Sequence, residues 1–174
     1  EELEVSGIFN LQSLNGLRGI HTGNGRCVIG AATTFSELGQ SEEFKKLFPD
    51  FPSYLKLIAS EQVRNMATVG GNIVNASPIG DMTIMLLALD AEVIIEGAGE
   101  IRPLPLKDLF LDYKKLNISK NEIIKSIVFN YHPEPGFFNF EKVSKRTHLD
   151  IASVNSAMHI RMTGEEISEC SVSA

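Results

Sequence analysis

Apolar residues along the chain follow two spacings, one typical of strands and one typical of helices. Short runs rich in Val and Ile predict strands at 26–32, 91–96, 123–129, 137–143, 150–162 and 167–173, with 101–106 as at best an edge strand. Helices are predicted at 35–38, 41–47, 52–60 and 78–89. Because strands and helices do not alternate strictly, the pattern predicts an α+β fold.

One segment stands out as a boundary between two parts of the chain. Residues 132–136, His-Pro-Glu-Pro-Gly, combine Pro and Gly without a strongly apolar side chain. We therefore predict a first domain at 1–132 and the beginning of a second, truncated domain at 133–174. The chain starts with Glu1, and strand-like apolar residues follow at once. We therefore expect a piece of a longer polypeptide or a processed product.

The stretch 67–81, Ala-Thr-Val-Gly-Gly-Asn-Ile-Val-Asn-Ala-Ser-Pro-Ile-Gly-Asp, combines small, polar and turn-forming residues. Its two adjacent glycines predict a tight turn at 68–72, whose consecutive amides would form a nest for phosphate oxygens. Ser77 and Pro78 predict the cap and first residue of the next helix. Asp81 would follow in the first turn, where the helix dipole favours a carboxylate. On local chemistry alone, a purely structural role, as a tight loop followed by a capped core helix, explains the stretch as well as a ligand-binding role does.

Composition and charge disfavour several classes of function. The chain has 16 Lys and Arg against 22 Asp and Glu, a formal net charge of −6, and no basic stripe, which disfavours nucleic-acid binding. Cys27 and Cys170 lack metal-binding spacing, so no zinc or iron–sulfur site is expected on this chain. Free thiols indicate a reducing, cytoplasmic setting. The apolar run at 84–89 is too short to span a membrane.

Residues typical of nucleophilic or metal-dependent catalysis form no pattern in the sequence. The four histidines lack metal-ligand spacing, and neither a Gly-x-Ser-x-Gly elbow nor a Walker lysine is present. A basic cluster is formed by Lys142, Lys145 and Arg146, close to Asp150. It has two interpretations: a solvated strand end paired with Asp150, or a cation aimed at an anionic cofactor. Such a cation would stabilise the anionic reduced form of a flavin.

Two separated motifs resemble the FAD domain of the molybdenum hydroxylases. The first comprises Gln-Val-Arg-Asn at 62–65, Thr-Val-Gly-Gly-Asn at 68–72, Ala-Ser-Pro at 76–78 and Asp81, and the second Lys-Val-Ser-Lys-Arg at 142–146 with Asp-Ile-Ala at 150–152. That family includes xanthine dehydrogenase and the medium subunits of carbon monoxide dehydrogenase-type enzymes. The resemblance covers nearly the whole chain. It implies an FAD-binding lobe of the PCMH/vanillyl-alcohol-oxidase type, followed by the start of a lobe like the C-terminal one of CO dehydrogenase flavoproteins.

The resemblance also implies which residues contact FAD. The diphosphate and ribityl region would be held, through backbone amides and short polar side chains, by Thr68, Val69, Gly70, Gly71 and Asn72. Family members carry an earlier glycine-rich segment that supplies much of the pyrophosphate cradle, and this chain has no such segment. Weak or absent FAD binding by this chain alone is therefore expected.

Four further positions are implied by the same resemblance. Asp81 would accept hydrogen bonds from FAD hydroxyl groups, Ile124 would contact the flavin, and Lys142 would lie near the isoalloxazine ring. Ile58 falls where xanthine dehydrogenases carry an aromatic contact to the flavin. An aliphatic residue there puts stacking in doubt and indicates altered access for an electron acceptor.

The implied function is that of an FAD-carrying electron-transfer subunit in a molybdopterin-dependent hydroxylase or dehydrogenase. Electrons would pass from [2Fe-2S] clusters on a small subunit to FAD, and on to NAD⁺ or another acceptor, while a large subunit holds molybdopterin. In this role the chain positions and tunes the cofactor and supplies no catalytic acid or base. Two alternatives are a free-standing FAD-dependent reductase or dehydrogenase of the same fold, and a cofactor-free assembly module.

Overall fold

The computed structural model describes residues 7–131 and 136–174. The predicted strand-like start and the predicted boundary at 132–136 therefore fall largely outside the described residues. The larger sheet has five antiparallel strands: β1 (Ile20–Gly23), β2 (Arg26–Gly30), β3 (Glu92–Gly97), β4 (Glu100–Pro105) and β7 (Glu122–Asn130). Their order across the sheet is β1-β2-β7-β3-β4. The strand predicted at 101–106 does lie at an edge, as expected for a segment with two prolines.

Short helices cover this sheet. They are α1 (Phe35–Gln40), α2 (Glu42–Leu47), α3 (Phe51–Lys56), α4 (Glu61–Arg64), α5 (Val69–Val74), α6 (Asp81–Ala88) and α7 (Leu106–Leu109). Two 3₁₀ turns, Leu11–Ser13 and Asn15–Leu17, precede β1, and a small hairpin of β5 (Phe110–Asp112) and β6 (Lys115–Leu116) follows α7. None of the helices in the described ranges is long and apolar enough to cross a membrane.

The three-stranded sheet at the end of the chain packs on α6. Its strands are β8 (Gly136–Val143), β9 (Val154–Thr163) and β10 (Glu166–Ser173), in the order β10-β9-β8. Phe140 and Ala157 are buried on the inner face, and the outer face carries exposed apolar side chains such as Phe137 and Val172. Because α6 is apolar nearly all round, it can be buried between this sheet and the helices α5 and α7. The prediction of a buried helix in this region is confirmed.

Helix starts were predicted with mixed success. The helices predicted at 35–38 and 41–47 form as α1 and α2; Thr34 caps α1 in a full capping box with Glu37, and Ser41 caps α2. The prediction that Ser77 and Pro78 start α6 is wrong, because the helix begins at Asp81. The predicted turn at 68–72 is also wrong, since Thr68 caps the helix α5 and both glycines lie inside it. The helix α4 was not predicted.

A bidentate ion pair joins the edge strand β4 to the central strand β7. The Arg102 guanidinium donates to both carboxylate oxygens of Glu122, at 2.8 and 3.0 Å, and the amide of Ser119 donates to the same carboxylate at 2.7 Å. The hydrogen bonds from Arg102, followed by the one from Ser119, lower the pKa of Glu122 from 4.5 to about 2. A carboxylate whose pKa is depressed by folding stabilises the folded chain above its unfolded pKa.

We expect this pair to add a defined step to the acid unfolding of the chain. The contribution of Glu122 is present above about pH 4.5 and is lost as the pH falls towards 2, the pKa in the folded chain. Urea unfolding at intervals between these pH values should show a steeper loss of stability in the natural chain than in Glu122→Gln. Parallel pH profiles of the two proteins would contradict the assignment. Other carboxylates titrate equally in both and cancel in the difference.

Candidate functional site

The first turn of α5 docks directly on the end of β2. The amide of Val69 donates to the carbonyl of Thr33 at 3.0 Å, and the amide of Gly70 donates to the carbonyl of Ala31 at 2.8 Å. A Cβ atom on Gly70 would lie 2.7 Å from that of Ala31, so only glycine permits this approach. The expectation that these two amides form an open nest for phosphate is therefore wrong. The assignment of Val69 and Gly70 to FAD contact stays a prediction.

The remaining residues of the motif present polar groups outward. The hydroxyl of Thr68 accepts a hydrogen bond from the amide of Gly71 at 3.1 Å, which leaves its own proton able to donate. Gly71 is exposed, whereas Gly70 is buried. Thr68 and Asn72 are four residues apart and therefore lie on the same helix face. This face, formed by Thr68, Gly71 and Asn72, is called the α5 face below.

Asn72 connects the α5 face to the start of α6. Its side-chain oxygen accepts hydrogen bonds from the amide and the hydroxyl of Thr83, both at 3.1 Å. Gly80, the N-cap of α6, has no side chain to satisfy these donors. Asn72 therefore caps a helix other than its own, and its side-chain nitrogen remains a donor with no hydrogen bond to the described residues.

A buried ion pair lies at the same end of α6. Lys142 Nζ donates to Asp81 Oδ2 at 2.8 Å and to the carbonyl of Leu57 at 2.9 Å. Only 3% of the Lys142 side chain and 11% of the Asp81 side chain is exposed. Asn155 Nδ2 donates to the other Asp81 oxygen, Oδ1, at 2.8 Å. Two of the predicted site residues, Asp81 and Lys142, are thus in direct contact.

The local basic cluster separates into two units. Lys142 on β8 points towards α6, whereas Arg146 lies in the loop after β8 and pairs with Asp150 at 3.5 Å. The side-chain hydrogen bond from Arg146, followed by its backbone amide, lowers the pKa of Asp150. The interpretation of the cluster as a solvated strand end paired with Asp150 is therefore confirmed for Arg146 and wrong for Lys142. Its partner is Asp81, 61 residues earlier in the chain.

Ile58 and Ile124 lie in the core, next to residues of the site. Ile58 is 4% exposed and follows Leu57, whose carbonyl accepts from Lys142. Ile124 is 5% exposed and precedes Lys125. The carbonyl of Lys125 accepts a hydrogen bond from the amide of Ala31, the residue on which α5 docks. The backbone of both residues thus adjoins the site, while both side chains are buried. Their contact with FAD stays a prediction.

Asn155 is the residue of this site that the sequence pattern missed. The strand at 150–162 was predicted from Ile151, Val154, Met158 and Ile160, all of which are at least partly exposed. The inward face of β9 instead carries Asn155 and Ala157. Alternate residues of a strand share one face, and a polar residue on the buried face gives no hydrophobic signal in the sequence. The position of Asn155 is therefore shown only by its pairing with Lys142 between β8 and β9.

The donors and acceptors of the site fit part of FAD. The α5 face offers hydroxyl and amide donors, Asp81 offers carboxylate oxygens, and Lys142 has a third N–H beyond the two in use. Such a set is complementary to a ligand that combines hydroxyl groups with anionic oxygens, as the ribityl diphosphate does. Over residues 7–131 and 136–174, no group of three or more His, Cys, Asp or Glu could hold a metal ion.

These polar groups lie at the start of α6, where the α+β lobe with its five-stranded sheet meets the second sheet. The family described as FAD binding domain in molybdopterin dehydrogenase matches residues 1–129. The chain belongs to this family.

Sequence relatives agree with this membership. Xanthine dehydrogenase 1 of Arabidopsis thaliana is 30% identical over 172 residues, covering 92% of this chain and 12% of the relative. The xanthine dehydrogenase FAD-binding subunit of Escherichia coli O157:H7 is 30% identical over 167 residues, covering 93% of this chain and 56% of the relative. The chain thus spans about half the length of this bacterial subunit and a much smaller part of the plant protein.

Solved structures confirm the predicted fold. Carbon monoxide dehydrogenase from Hydrogenophaga pseudoflava superposes with a TM-score of 0.83 at 29% identity, covering 90% of this chain and 54% of that chain. Reconstituted CO dehydrogenase from Oligotropha carboxidovorans gives a TM-score of 0.86 at 27% identity, covering 93% and 56%. The α+β fold of an FAD-binding lobe followed by part of a CO dehydrogenase flavoprotein lobe is therefore confirmed.

Proposed function

We propose that this chain carries FAD in the electron-transfer subunit or domain of a molybdopterin-dependent hydroxylase or dehydrogenase, as an oxidoreductase of the xanthine and CO dehydrogenase kind. The observation that carries the proposal is that polar groups converge on the start of α6, where Asn72 of the α5 face accepts from Thr83 and the buried Asp81–Lys142 pair lies two residues away. Family membership supports the choice of FAD as the cofactor. FAD, when bound, supplies the acceptance and release of electrons.

The residues of the chain would bind and orient this cofactor. Thr68, Gly71 and Asn72 would contact the diphosphate and the adjacent ribityl group, because they present donors and a small side chain on one helix face. Asp81 would accept hydrogen bonds from hydroxyl groups. Lys142 would contribute a positive charge that favours a reduced, anionic flavin. Asp81, 2.8 Å from the ammonium group, offsets part of this charge, so the flavin would experience the ion pair and not a free cation.

The wider setting of the proposal follows the relatives. Partners would be a molybdopterin-binding large subunit and a [2Fe-2S] small subunit, with NAD⁺ or another molecule as the final acceptor and the cytoplasm as the location. A division into domains at 1–132 and 133–174 is supported by the end of the family match at residue 129 and by the separate sheet that begins with β8. The named relatives include a xanthine dehydrogenase FAD-binding subunit and a carbon monoxide dehydrogenase medium chain.

The test of this proposal changes the charge of the α5 face without removing its structural role. Asn72→Asp keeps an oxygen that accepts from Thr83 at the start of α6, where the helix dipole favours a carboxylate. The same change replaces the outward amide donor by an anionic oxygen, which repels a diphosphate. We expect FAD affinity to fall at least about tenfold, equal to about 1.4 kcal/mol. Titration of the full chain with FAD, followed by flavin fluorescence, measures this.

A matched control carries the same charge change at a distance. Asn24 lies in the β1–β2 turn, seven residues before Ala31, so Asn24→Asp adds a negative charge roughly 20 Å from the α5 docking point at about 3.3 Å per residue. This variant should bind FAD like the natural chain. If Asn72→Asp also binds unchanged, the α5 face does not contact the cofactor. Weak or absent uptake of FAD by the natural chain alone is the expectation stated above, so the cofactor-free alternative would be favoured only if a longer form of the protein also lacked flavin.

A further inference from the structure

The carboxylate of Asp81 is held on both of its oxygens by residues of the second sheet. Lys142 on β8 donates to Oδ2, and Asn155 on β9 donates to Oδ1, each at 2.8 Å. Lys142 and Asn155 are directly opposite in the β8–β9 ladder, so one cross-strand pair grips one carboxylate. Lys142 neutralises the charge of the buried Asp81 carboxylate. Asn155, the second donor, is a neutral amide, so it adds a hydrogen bond without changing the charge.

Asn155 is itself fixed by its surroundings. It is 4% exposed, and its side-chain nitrogen also donates to the carbonyl of Ile79 at 3.2 Å. Ile79 lies two residues before Asp81, in the loop that leads into α6. One amide thus holds both the backbone before the helix and the side chain of its first residue. This arrangement sets the direction in which the carboxylate faces.

We propose that Asn155 is a positioning residue for the FAD site: it fixes the orientation of the Asp81 carboxylate that receives the FAD hydroxyl groups. The inference rests on the proposed function. The terminal torsion of an aspartate side chain is soft, so a carboxylate gripped by Lys142 alone samples a range of orientations. Binding would then have to order it, and the cost appears as lower affinity. Asn155 removes that cost before the ligand arrives.

The decisive experiment compares two variants that each break a hydrogen bond between the second sheet and α6. Asn155→Val removes the donor to Asp81 and places a β-branched residue that suits a strand. Ser173→Ala removes the hydrogen bond from the Ser173 hydroxyl to the carbonyl of Ile84, 2.6 Å long, and leaves Asp81 untouched. FAD affinity is measured by flavin fluorescence, the visible difference spectrum is recorded at saturating FAD, and unfolding midpoints are measured in urea.

We expect Asn155→Val to weaken FAD binding roughly tenfold and to alter the visible difference spectrum, while Ser173→Ala stays within about twofold of the natural chain. Both variants should lower the unfolding midpoint. Equal FAD affinity of the two variants would reduce Asn155 to a structural residue and overturn the inference. Failure of every form of the protein, a longer polypeptide included, to bind FAD is a different result, because it overturns the proposed function together with the inference.

A second variant keeps the test decisive if Asn155→Val does not fold. Asn155→Ser retains a hydroxyl donor on a shorter side chain and leaves no branched carbon in the core. We expect this variant to fold and to bind FAD more weakly than the natural chain. The serine side chain is one bond shorter than that of asparagine, so its hydroxyl lies about one bond length further from Asp81 Oδ1. Full affinity in Asn155→Ser, with an unchanged difference spectrum, would contradict the positioning role.

Discussion

Replacing Lys142 with Met lowers the free energy of unfolding by about 3 to 5 kcal/mol, the largest effect that we expect from a single substitution in this chain. The side chain of Lys142 is 3% exposed and pairs with an Asp81 side chain that is 11% exposed. Met matches the length of lysine, so the loss comes from the carboxylate left without its cation and from the unpaired carbonyl of Leu57. Urea unfolding monitored by far-ultraviolet circular dichroism measures the change.

The control for this prediction is an ion pair of the same kind at the surface. Lys45 pairs with Glu42 at 2.6 Å, and the Glu42 side chain is 79% exposed. Exposed pairs contribute at most about 1 kcal/mol, so Lys45→Met should change the unfolding free energy little. The double variant Asp81→Asn with Lys142→Met should recover part of the loss, because it leaves no unpaired charge. A Lys142→Met chain as stable as Lys45→Met would show that the pair is open to water.

The second large effect is expected at Gly70. In Gly70→Val, the new Cβ would stand 2.7 Å from the Cβ of Ala31 and 2.9 Å from its carbonyl oxygen, so α5 must move away from β2. That movement also breaks the hydrogen bond from the Gly70 amide to Ala31, 2.8 Å long. Overpacking of this kind costs about 1 to 3 kcal/mol, and rigid backbone at the contact favours the upper part of that range. Thermal and urea unfolding report the loss.

A glycine in open space provides the comparison. No heavy atom lies within 4 Å of a Cβ built on Gly23, which sits in strand β1, where valine is favourable. Gly23→Val should therefore leave the unfolding midpoint unchanged or raise it. If Gly70→Val proved as stable as Gly23→Val, the close approach of α5 to β2 would not be needed for folding.

Runs of apolar residues predicted the strands of the two larger sheets with the exception of β1, although for β9 the apolar residues mark the more exposed face. The segments 91–96 and 123–129 became β3 and β7, with bounds shifted by one residue at each end. The Asn24-Gly25 turn joins β1 and β2 as a hairpin, and a Thr–Glu capping box starts α1. These features depend on residues close together in sequence. Local chemistry therefore determines them.

The parts that could not be predicted depend on contacts between distant residues. Two glycines disfavour a helix locally, yet α5 forms because the missing side chain of Gly70 lets the helix dock on Ala31. The start of α6 is satisfied by Asn72, a residue of another helix, so the local cap signals at Ser77 and Pro78 are not used. No spacing rule relates Asp81 to Lys142. The candidate site could be predicted as a set of residues, but not as a set of contacts.

With FAD bound as proposed, the Lys142–Asp81 ion pair would also couple cofactor binding to the association of the two sheets. The ammonium group touches the end of α3 through Leu57 and the start of α6 through Asp81, while its backbone belongs to β8. A ligand that binds this junction adds its own binding free energy to the association of the two sheets, about 2.7 kcal/mol at a concentration one hundred times its dissociation constant. Binding of the cofactor and association of the two sheets would then be linked equilibria, so that loss of either weakens the other.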